Sequence, residues 1–302
     1  MKPLAVTLGD PAGIGPEVVF KALEGLDVPV WLFGSRAWSG DIPDGARFID
    51  VGGSGAVRYG EISAEYGRVA LDSIDLAVEA VAAGDCSALV TAPIHKQSIA
   101  AAGSKFPGHT ELLAALAGLN HYGRDYAMYF DSPSIRTVLL TVHVPLREAI
   151  ESITAAGVAD LADLTKREYR RLYGKEPRVA VAGVNPHAGE GGRFGSEEEE
   201  IAKGVAMAGE NVSGPHPPDT VFLAARRGKY DVVMAMYHDQ GLIPVKTLEF
   251  EQSVNVTIGL PYLRCSVDHG TAFDIAGKGM ADARPMRYAL EWAARHGARC
   301  LR

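Results

Sequence analysis

The stretch VVMAMYHDQG, residues 232–241, joins five consecutive apolar residues to a tyrosine, a histidine and further polar residues. A short continuous apolar run of this kind is typical of a strand that is covered on both faces in a parallel sheet. Similar runs occupy residues 4–8, 30–33, 88–91, 137–142, 178–182 and 254–258. Because longer segments of helical period lie between these runs, the sequence predicts an α/β fold with a largely parallel sheet.

The predicted helices are recognised by their apolar period and by their ends. Residues 158–173 repeat apolar side chains on one helical face and stop at Gly174, a common left-handed terminator. Further helices are predicted at residues 72–83, 111–119 and 285–297. The acidic run at residues 197–200 is interpreted as a first helical turn capped by the side chain of Ser196.

Composition excludes several classes of protein. The 302 residues are 47% hydrophobic and 22% charged, which is not the composition of a disordered chain. The net charge of −7 does not favour nucleic acid as a partner, and no stretch is apolar for long enough to cross a membrane. The three cysteines lie far apart without CxxC spacing, which indicates a reducing compartment. We therefore expect a soluble cytoplasmic protein.

Histidines follow several predicted strands at the point where each strand ends. His143, His187 and His238 each lie just beyond an apolar run, and His95 follows another. Ligands of open α/β sheets bind beyond the carboxyl ends of the strands. Three imidazoles that meet there could hold a divalent cation, although a lone histidine is more often a hydrogen-bonded structural residue. Metal binding is therefore a hypothesis at this stage.

A second set of residues suits an anion. His109 and Thr110 open a predicted helix, whose free backbone N–H groups favour negative charge. Lys246, Asn255 and Arg264 add two cations and an amide. Each cation taken alone could equally be a surface ion pair.

The glycine-rich segment at residues 9–17 follows a strand, as a dinucleotide-binding loop would. Val18 stands where the Rossmann fingerprint needs its third glycine, and the chain has no GxxxxGK[ST] loop. A nicotinamide cofactor therefore cannot be inferred from these motifs, and the histidines alone would favour a metal hydrolase.

The motifs together resemble one family, the NAD-dependent 4-hydroxythreonine-4-phosphate dehydrogenases of vitamin B6 biosynthesis. The resemblance covers nearly the whole chain. It is carried by GDPAGIGPE (9–17), TAPIHK (91–96), GHTE (108–111), TVHVPL (141–146), NPHAGEGG (185–192), MYHDQG (236–241) and SVDHGTA (266–272).

This resemblance implies roles for the candidate site residues. His143, His187 and His238 correspond to the ligands of a divalent metal, Zn²⁺, Mg²⁺ or Co²⁺, in a homodimer whose metal site is shared between subunits. The residues that correspond to substrate contacts are His109, Thr110, Lys246, Asn255 and Arg264. The general base is open among His109, Asp239 and Lys246, and the NAD-contacting residues are unassigned.

The resemblance also implies a fold like that of isocitrate and isopropylmalate dehydrogenases, with two α/β/α domains and an active-site cleft between them. Such proteins bind NAD without a Rossmann loop, which accounts for the missing glycine. The approximate domains are residues 1–105 with 270–302, expected on the NAD side, and residues 106–269, expected on the dimerisation, metal and substrate side.

The implied reaction is the oxidation of 4-phosphooxy-threonine by NAD, with NADP as a second possible cofactor. The product is a β-keto acid that decarboxylates to 3-amino-2-oxopropyl phosphate. Relatives with the same metal ligands oxidise phosphorylated threonates or aromatic dihydrodiols, so a sibling dehydrogenase is the main alternative. A metal hydrolase and a non-catalytic metal-binding module are more remote alternatives.

Overall fold

The structure, a computed structural model, describes residues 2–300 without the side chain of Cys300; residues 1, 301 and 302 of the predicted terminal domain lie outside the described residues. The strands in chain order are β1 (Leu4–Thr7), β2 (Val30–Gly34), β3 (Arg47–Asp50), β4 (Leu89–Thr91), β5 (Ala127–Asp131), β6 (Arg136–Leu139), β7 (Val179–Ala182), β8 (Val212–His216), β9 (Val232–Ala235), β10 (Val254–Ile258) and β11 (Arg264–Ser266). The α-helices are α1 (Gly15–Leu23), α2 (Ala64–Ala82), α3 (Lys96–Ala101), α4 (His109–Leu116), α5 (Leu146–Glu151), α6 (Ala155–Tyr173), α7 (Glu197–Ala208), α8 (Pro218–Arg226), α9 (His238–Glu249) and α10 (Arg284–Cys300).

The chain forms two compact units. Unit 1 contains the described residues up to Gly118 and from Pro261 onward, and unit 2 is Leu119–Leu260. The chain therefore leaves unit 1 once and returns to it. The cofactor and metal sides assigned to residues 1–105 with 270–302 and to residues 106–269 stay predictions.

The pairs of neighbouring strands within unit 1 are all parallel. Their order is β3-β2-β1-β4-β11. Leu4, Val6 and Leu32 are fully buried, as the continuous apolar runs predict for strands covered on both faces. A smaller cluster of Ala12, Trp38, Tyr66 and Val69 extends the core of this unit.

The strands of unit 2 have the order β10-β5-β6-β9-β7-β8. β5 runs antiparallel to β10 and β6, and the pairs β6–β9, β9–β7 and β7–β8 are parallel. The core contains Phe130, Leu139, Ala180, Val233 and Val245. Because β6, β9 and β7 are parallel neighbours, their carboxyl ends lie at one edge of the sheet.

Each predicted apolar run overlaps a strand, and each predicted helix overlaps an observed helix, although α2 begins at Ala64 and not at residue 72. The prediction that the side chain of Ser196 caps the helix at residues 197–200 is wrong. Ser196 occupies the N-cap position of α7, but its side chain accepts no hydrogen bond from the helix. The Glu198 carboxylate instead accepts hydrogen bonds from the backbone N–H groups of Val184 and Asn185.

No helix within residues 2–300 combines the length and the hydropathy needed to cross a membrane.

Candidate functional site

The three histidines predicted as metal ligands all belong to unit 2 and follow the three neighbouring parallel strands. His143 lies beyond β6, His187 lies beyond β7, and His238 is the first residue of α9, just after β9. The register pairs Leu139 with Ala235 and Val181 with Met234, so these strands end at similar heights. The fold thus places all three loops at one edge of the sheet, where α/β proteins bind ligands.

His143 and His238 lie close together. Their ring centroids are 5.8 Å apart and their planes are tilted by 44°. Two imidazoles that bind one tetrahedral zinc ion at about 2.1 Å have centroids about 5 Å apart, so this pair fits a shared cation with a small adjustment. Neutral imidazole nitrogens are donors that zinc and cobalt accept readily.

Asp239 fixes the orientation of one of these rings. Its Oδ1 is 2.7 Å from Nδ1 of His238. A carboxylate in this position accepts the Nδ1–H, so Nε2 keeps its lone pair for a cation. The proximity of Asp239 to His238 therefore suits an orienting carboxylate beside a metal ligand.

His187 does not lie beside His143 and His238. It is exposed and has a φ of 55°, within a turn of left-handed residues that follows β7. Within residues 2–300, no three His, Cys, Asp or Glu side chains are arranged so that they could hold one metal ion. One copy of the chain therefore brings two of the three predicted ligands together.

Lys246 lies on the same face of α9 as His238. An open groove of about 410 Å³ along this face is lined by His238, Asp239, Leu242, Ile243, Lys246 and Thr247. Eight residues are slightly more than two helical turns, so the two backbones are about 12 Å apart along the axis. A small substrate can extend over that distance between an imidazole and an ammonium group.

Asn255 projects from the central part of β10, opposite Phe130 of β5. It is 9% exposed, and its buried Oδ1 has no hydrogen-bond partner among the described residues. A buried polar atom normally has a partner, so this oxygen is suited to accept a hydrogen bond from a bound ligand.

The remaining predicted substrate contacts belong to unit 1. Arg264 of β11 is 2% exposed and donates a 2.7 Å hydrogen bond from a terminal guanidinium nitrogen to Oγ1 of Thr91. Burial lowers the pKa of Arg264 to about 10, so the guanidinium stays charged at neutral pH. A buried cation of this kind favours a carboxylate or phosphate as its ligand.

His109 and Thr110 begin α4. Burial, and secondarily the charge of Arg264, hold the pKa of His109 well below its usual value, so its imidazole is neutral. Its buried Nε2 has no hydrogen-bond partner among the described residues, and Thr110 is 7% exposed. The neutral ring of His109, the hydroxyl of Thr110 and the guanidinium of Arg264 are all groups that can bind an anionic oxygen.

The glycines of residues 9–17 serve the packing of unit 1. Gly9 has a φ of +73°, and a Cβ there would lie 2.2 Å from the carbonyl oxygen of Pro93. Asp10 Oδ1 accepts a hydrogen bond from the N–H of Ala12 and closes the turn before α1. Close backbone packing therefore explains this segment without a Rossmann pyrophosphate loop.

Sequence reasoning missed Thr91, which holds the guanidinium of Arg264. Its signal was available, because Thr91 ends an apolar run and begins the motif TAPIHK. His95, also placed at a strand end by the sequence, stacks on Phe273 with ring centroids 4.4 Å apart.

Solved structures share this fold. The 4-hydroxythreonine-4-phosphate dehydrogenase of Klebsiella pneumoniae has 38% identity and a TM-score of 0.88, with 98% of this chain and all of that chain covered. A β-decarboxylating dehydrogenase of Thermococcus kodakarensis has 15% identity and a TM-score of 0.52, covering 99% of this chain and 85% of that chain. The predicted fold class, like that of isocitrate and isopropylmalate dehydrogenases, is confirmed.

Curated relatives match over nearly the whole chain. A 4-hydroxythreonine-4-phosphate dehydrogenase of Beijerinckia indica is 43% identical over 97% of this chain and 94% of its own length. The D-threonate 4-phosphate dehydrogenase of Salmonella typhimurium is 40% identical over 97% of this chain and 98% of its own.

Fold, site and relatives define the class of this protein, an α/β oxidoreductase of the dehydrogenase type that acts on a CH–OH group. Residues 27–293 match the family described as pyridoxal phosphate biosynthetic protein PdxA. The chain belongs to the PdxA family, as its motifs predicted.

Proposed function

We propose that this protein oxidises 4-phosphooxy-L-threonine with NAD, or with NADP, in the biosynthesis of pyridoxal 5'-phosphate. The product is a β-keto acid that loses CO₂ to give 3-amino-2-oxopropyl phosphate. The observation that carries the proposal is the pair of His143 and His238, 5.8 Å apart at the carboxyl ends of parallel strands. Membership of the PdxA family supports the same function.

His143, His187 and His238 are proposed to hold one divalent cation, Zn²⁺, Mg²⁺ or Co²⁺. Since one chain brings only His143 and His238 together, we propose that His187 comes from a second copy of the chain. Exposed apolar side chains support a homodimer on this face: Leu146 is 55% exposed and Ile243 is 62% exposed. Both lie on elements that begin next to metal-binding histidines, and burial against a second copy would remove them from water.

The cation, when bound, would polarise the substrate hydroxyl. The nicotinamide would accept hydride from the carbon that carries this hydroxyl. The contact between Asp239 and Nδ1 of His238 would hold a proton on Nδ1 and leave the lone pair of Nε2 for the cation. Arg264, His109 and Thr110 are proposed to hold an anionic group of the substrate, and Lys246 a second one. Asn255 Oδ1 is suited to accept a hydrogen bond from a substrate hydroxyl or ammonium group.

The group that takes the hydroxyl proton stays open among His109, Asp239 and Lys246. Burial and the charge of Arg264 hold the pKa of His109 well below its usual value, which makes its neutral ring a weaker proton acceptor than a free imidazole. Oδ1 of Asp239 contacts Nδ1 of His238, and the second carboxylate oxygen is not part of this contact. These observations do not rank the three candidates.

A phosphorylated threonate is the second candidate substrate, since one similar relative bears that activity in its name. Both substrates carry a phosphate and a secondary alcohol, and the cations identified here would bind either. A dihydrodiol lacks the phosphate and would leave the buried Arg264 without its preferred ligand.

The test is a panel of 4-phosphooxy-L-threonine, D-threonate 4-phosphate and an aromatic dihydrodiol, each with NAD or NADP and one divalent metal. NADH absorbance is followed, and reactions without nicotinamide control for hydrolysis. Turnover is expected to be highest with 4-phosphooxy-L-threonine and to disappear after chelation of the metal. Preference for D-threonate 4-phosphate would transfer the assignment to the sibling activity, and substrate loss without nicotinamide would contradict both.

A cytoplasmic location is part of the proposal. Burial raises the pKa of Cys86 to about 11 and that of Cys265 to about 12, so both thiols are protonated and unreactive at neutral pH. Such free buried thiols suit a reducing compartment.

A further inference from the structure

The loop that carries His187 has a strained backbone. His187, Ala188 and Glu190 have φ values of 55°, 54° and 43°. Left-handed conformations cost non-glycine residues about 1 kcal/mol or more each, so surrounding contacts must hold this turn in place. The role that we assign to those contacts rests on the proposed role of His187 as a metal ligand.

Glu198 anchors the start of this loop. Its Oε1 accepts hydrogen bonds from the N–H groups of Val184, at 2.9 Å, and Asn185, at 2.7 Å. Its Oε2 accepts a bond from Nδ2 of Asn185 at 2.9 Å. Glu198 is 9% exposed and lies in the first turn of α7, so a rigid helix holds the carboxylate against the loop.

Gln240 anchors the same loop from the other side. Its Nε2 donates a 2.7 Å hydrogen bond to the carbonyl of Gly183, and its Oε1 accepts a 2.7 Å bond from the N–H of Met236. The side chain therefore ties the end of β7 to the end of β9, two residues before His238. Thr141 Oγ1 donates to the carbonyl of Met236 at 2.8 Å, which adds the segment between β6 and His143.

We propose that Glu198 and Gln240 are positioning residues for the metal-binding histidines. Together they fix residues 183–185 from two sides, and Gln240 links that segment to the segment that precedes His238. Both side chains are buried and use both of their polar atoms, so replacement of either leaves a neighbouring polar group with an unsuitable partner. Their contribution acts through the placement of His187 relative to His143 and His238.

The experiment measures Co²⁺ affinity from the visible absorption of the bound ion in the full-length protein. Glu198→Gln keeps one oxygen for the two backbone N–H groups but presents its amide N–H₂ to the side-chain Nδ2 group of Asn185. Gln240→Glu presents a carboxylate oxygen to the Gly183 carbonyl. Each change is expected to weaken Co²⁺ binding about 10- to 100-fold, the usual effect of losing a group that orients a metal ligand. A changed absorption spectrum is expected wherever the ion still binds.

The matched control is Glu199→Gln, an isosteric change at the exposed neighbour of Glu198 on α7; it should leave affinity and spectrum unchanged. Asn185→Ala removes the side-chain hydrogen bonds to Glu197 and Glu198 from a partly exposed position, and it keeps the test available if Glu198→Gln fails to fold. It should weaken Co²⁺ binding less than His187→Ala does.

The outcomes separate the two proposals. If His187→Ala binds Co²⁺ as tightly as the parent protein, the proposed metal site itself is wrong. If His187→Ala loses the ion while folded Glu198→Gln, Gln240→Glu and Asn185→Ala keep parental affinity and spectrum, only the positioning role is overturned. A lower melting temperature with unchanged Co²⁺ binding would likewise assign these residues to stability alone.

Discussion

Arg264 shows how a single buried charge determines what a site can bind. Arg264 lies on β11 and is almost fully buried, and its guanidinium donates a hydrogen bond to Thr91. Burial lowers its pKa to about 10, yet the group remains charged at neutral pH. A cation placed in this way gains most from an anionic ligand that brings its own charge.

Arg264→Lys is expected to raise KM for the phosphorylated substrate about 10- to 100-fold, because an ammonium group cannot reproduce the guanidinium fork. Metal affinity should not change. Steady-state kinetics with a parallel Co²⁺ titration measure both quantities, and Arg58→Lys, at an arginine whose side chain is 76% exposed, is the control. Loss of the metal in the Arg264 variant would show that the proposed division of roles is wrong.

His109 links the pH dependence of stability to its burial. Its pKa is held well below the ordinary value of about 6.5 in the folded state, whereas the unfolded chain binds the proton normally. Below about pH 6.5 the unfolded chain therefore binds more protons than the folded protein does. The folded state loses stability as the pH falls from about 6.5 toward the folded-state pKa of His109. The free energy of unfolding should decrease by up to about 1.4 kcal/mol per pH unit from this group.

His109→Gln removes that titration, so urea unfolding measured between about pH 7 and pH 5 should show a smaller acid loss than in the parent. Gln97→Ala, at an exposed residue without an ionisable group, should retain the parental slope. Equal slopes for the parent and His109→Gln would mean that His109 is not held neutral by the fold.

At the level of elements, α9 delivers His238 to one strand end and Lys246 along the groove. Its close approach to β6 and β9 depends on Gly241. A Cβ at this position would lie 2.4 Å from Cδ2 of Leu139 and 3.1 Å from Cβ of Ala235. The first turn of α9 therefore packs directly against the strands.

Gly241→Ala should destabilise the protein by about 1 to 3 kcal/mol, although alanine is the better helix former, because the added methyl group overpacks this contact. The start of α9 must move away from β6, so Co²⁺ affinity should also fall. Thermal unfolding and Co²⁺ titration test both effects, with Leu248→Ala at an exposed position of α9 outside the groove as the control. A more stable variant would contradict the close packing.

The elements predicted from sequence have continuous apolar runs or a clear helical period. Four strands were not predicted: β8, whose sequence VSGPH contains glycine and proline, β3, which is half-exposed and mixed in composition, and the buried strands β5 and β11. The strand-end positions of His143, His187 and His238 could be predicted from order along the chain. The lateral order β6-β9-β7, which makes those ends neighbours, depends on tertiary packing that no local pattern specifies.

The network around Glu198 was out of reach for a similar reason. By local criteria, four consecutive glutamates are a favourable first helical turn. The hydrogen bonds that Glu198 accepts from residues 184 and 185 form only in the folded chain. The substrate contacts and metal ligands were assigned through family resemblance, and their roles stay predictions.

At the level of the whole molecule, the proposed metal site requires a second copy of the chain. Ile243→Asp places a charge on the exposed apolar face of α9 and should shift the protein toward monomer at micromolar concentration, since a buried unpaired charge opposes association. Light scattering measures the mass, and Met207→Asp, at another exposed apolar residue of unit 2, is the control. Metal affinity should fall with dissociation; a monomeric parent protein would contradict the shared site.

Complementation between two inactive variants tests the central claim most directly. His187→Ala and His238→Ala are unfolded together, refolded as an equal mixture and assayed with metal, NAD and 4-phosphooxy-L-threonine. If His143 and His238 of one copy share a cation with His187 of the other, each heterodimer contains one intact site. About a quarter of the parental activity should then return, since half of the dimers are mixed and each has one working site. A mixture as inactive as its two components, with heterodimer present, would contradict the claim.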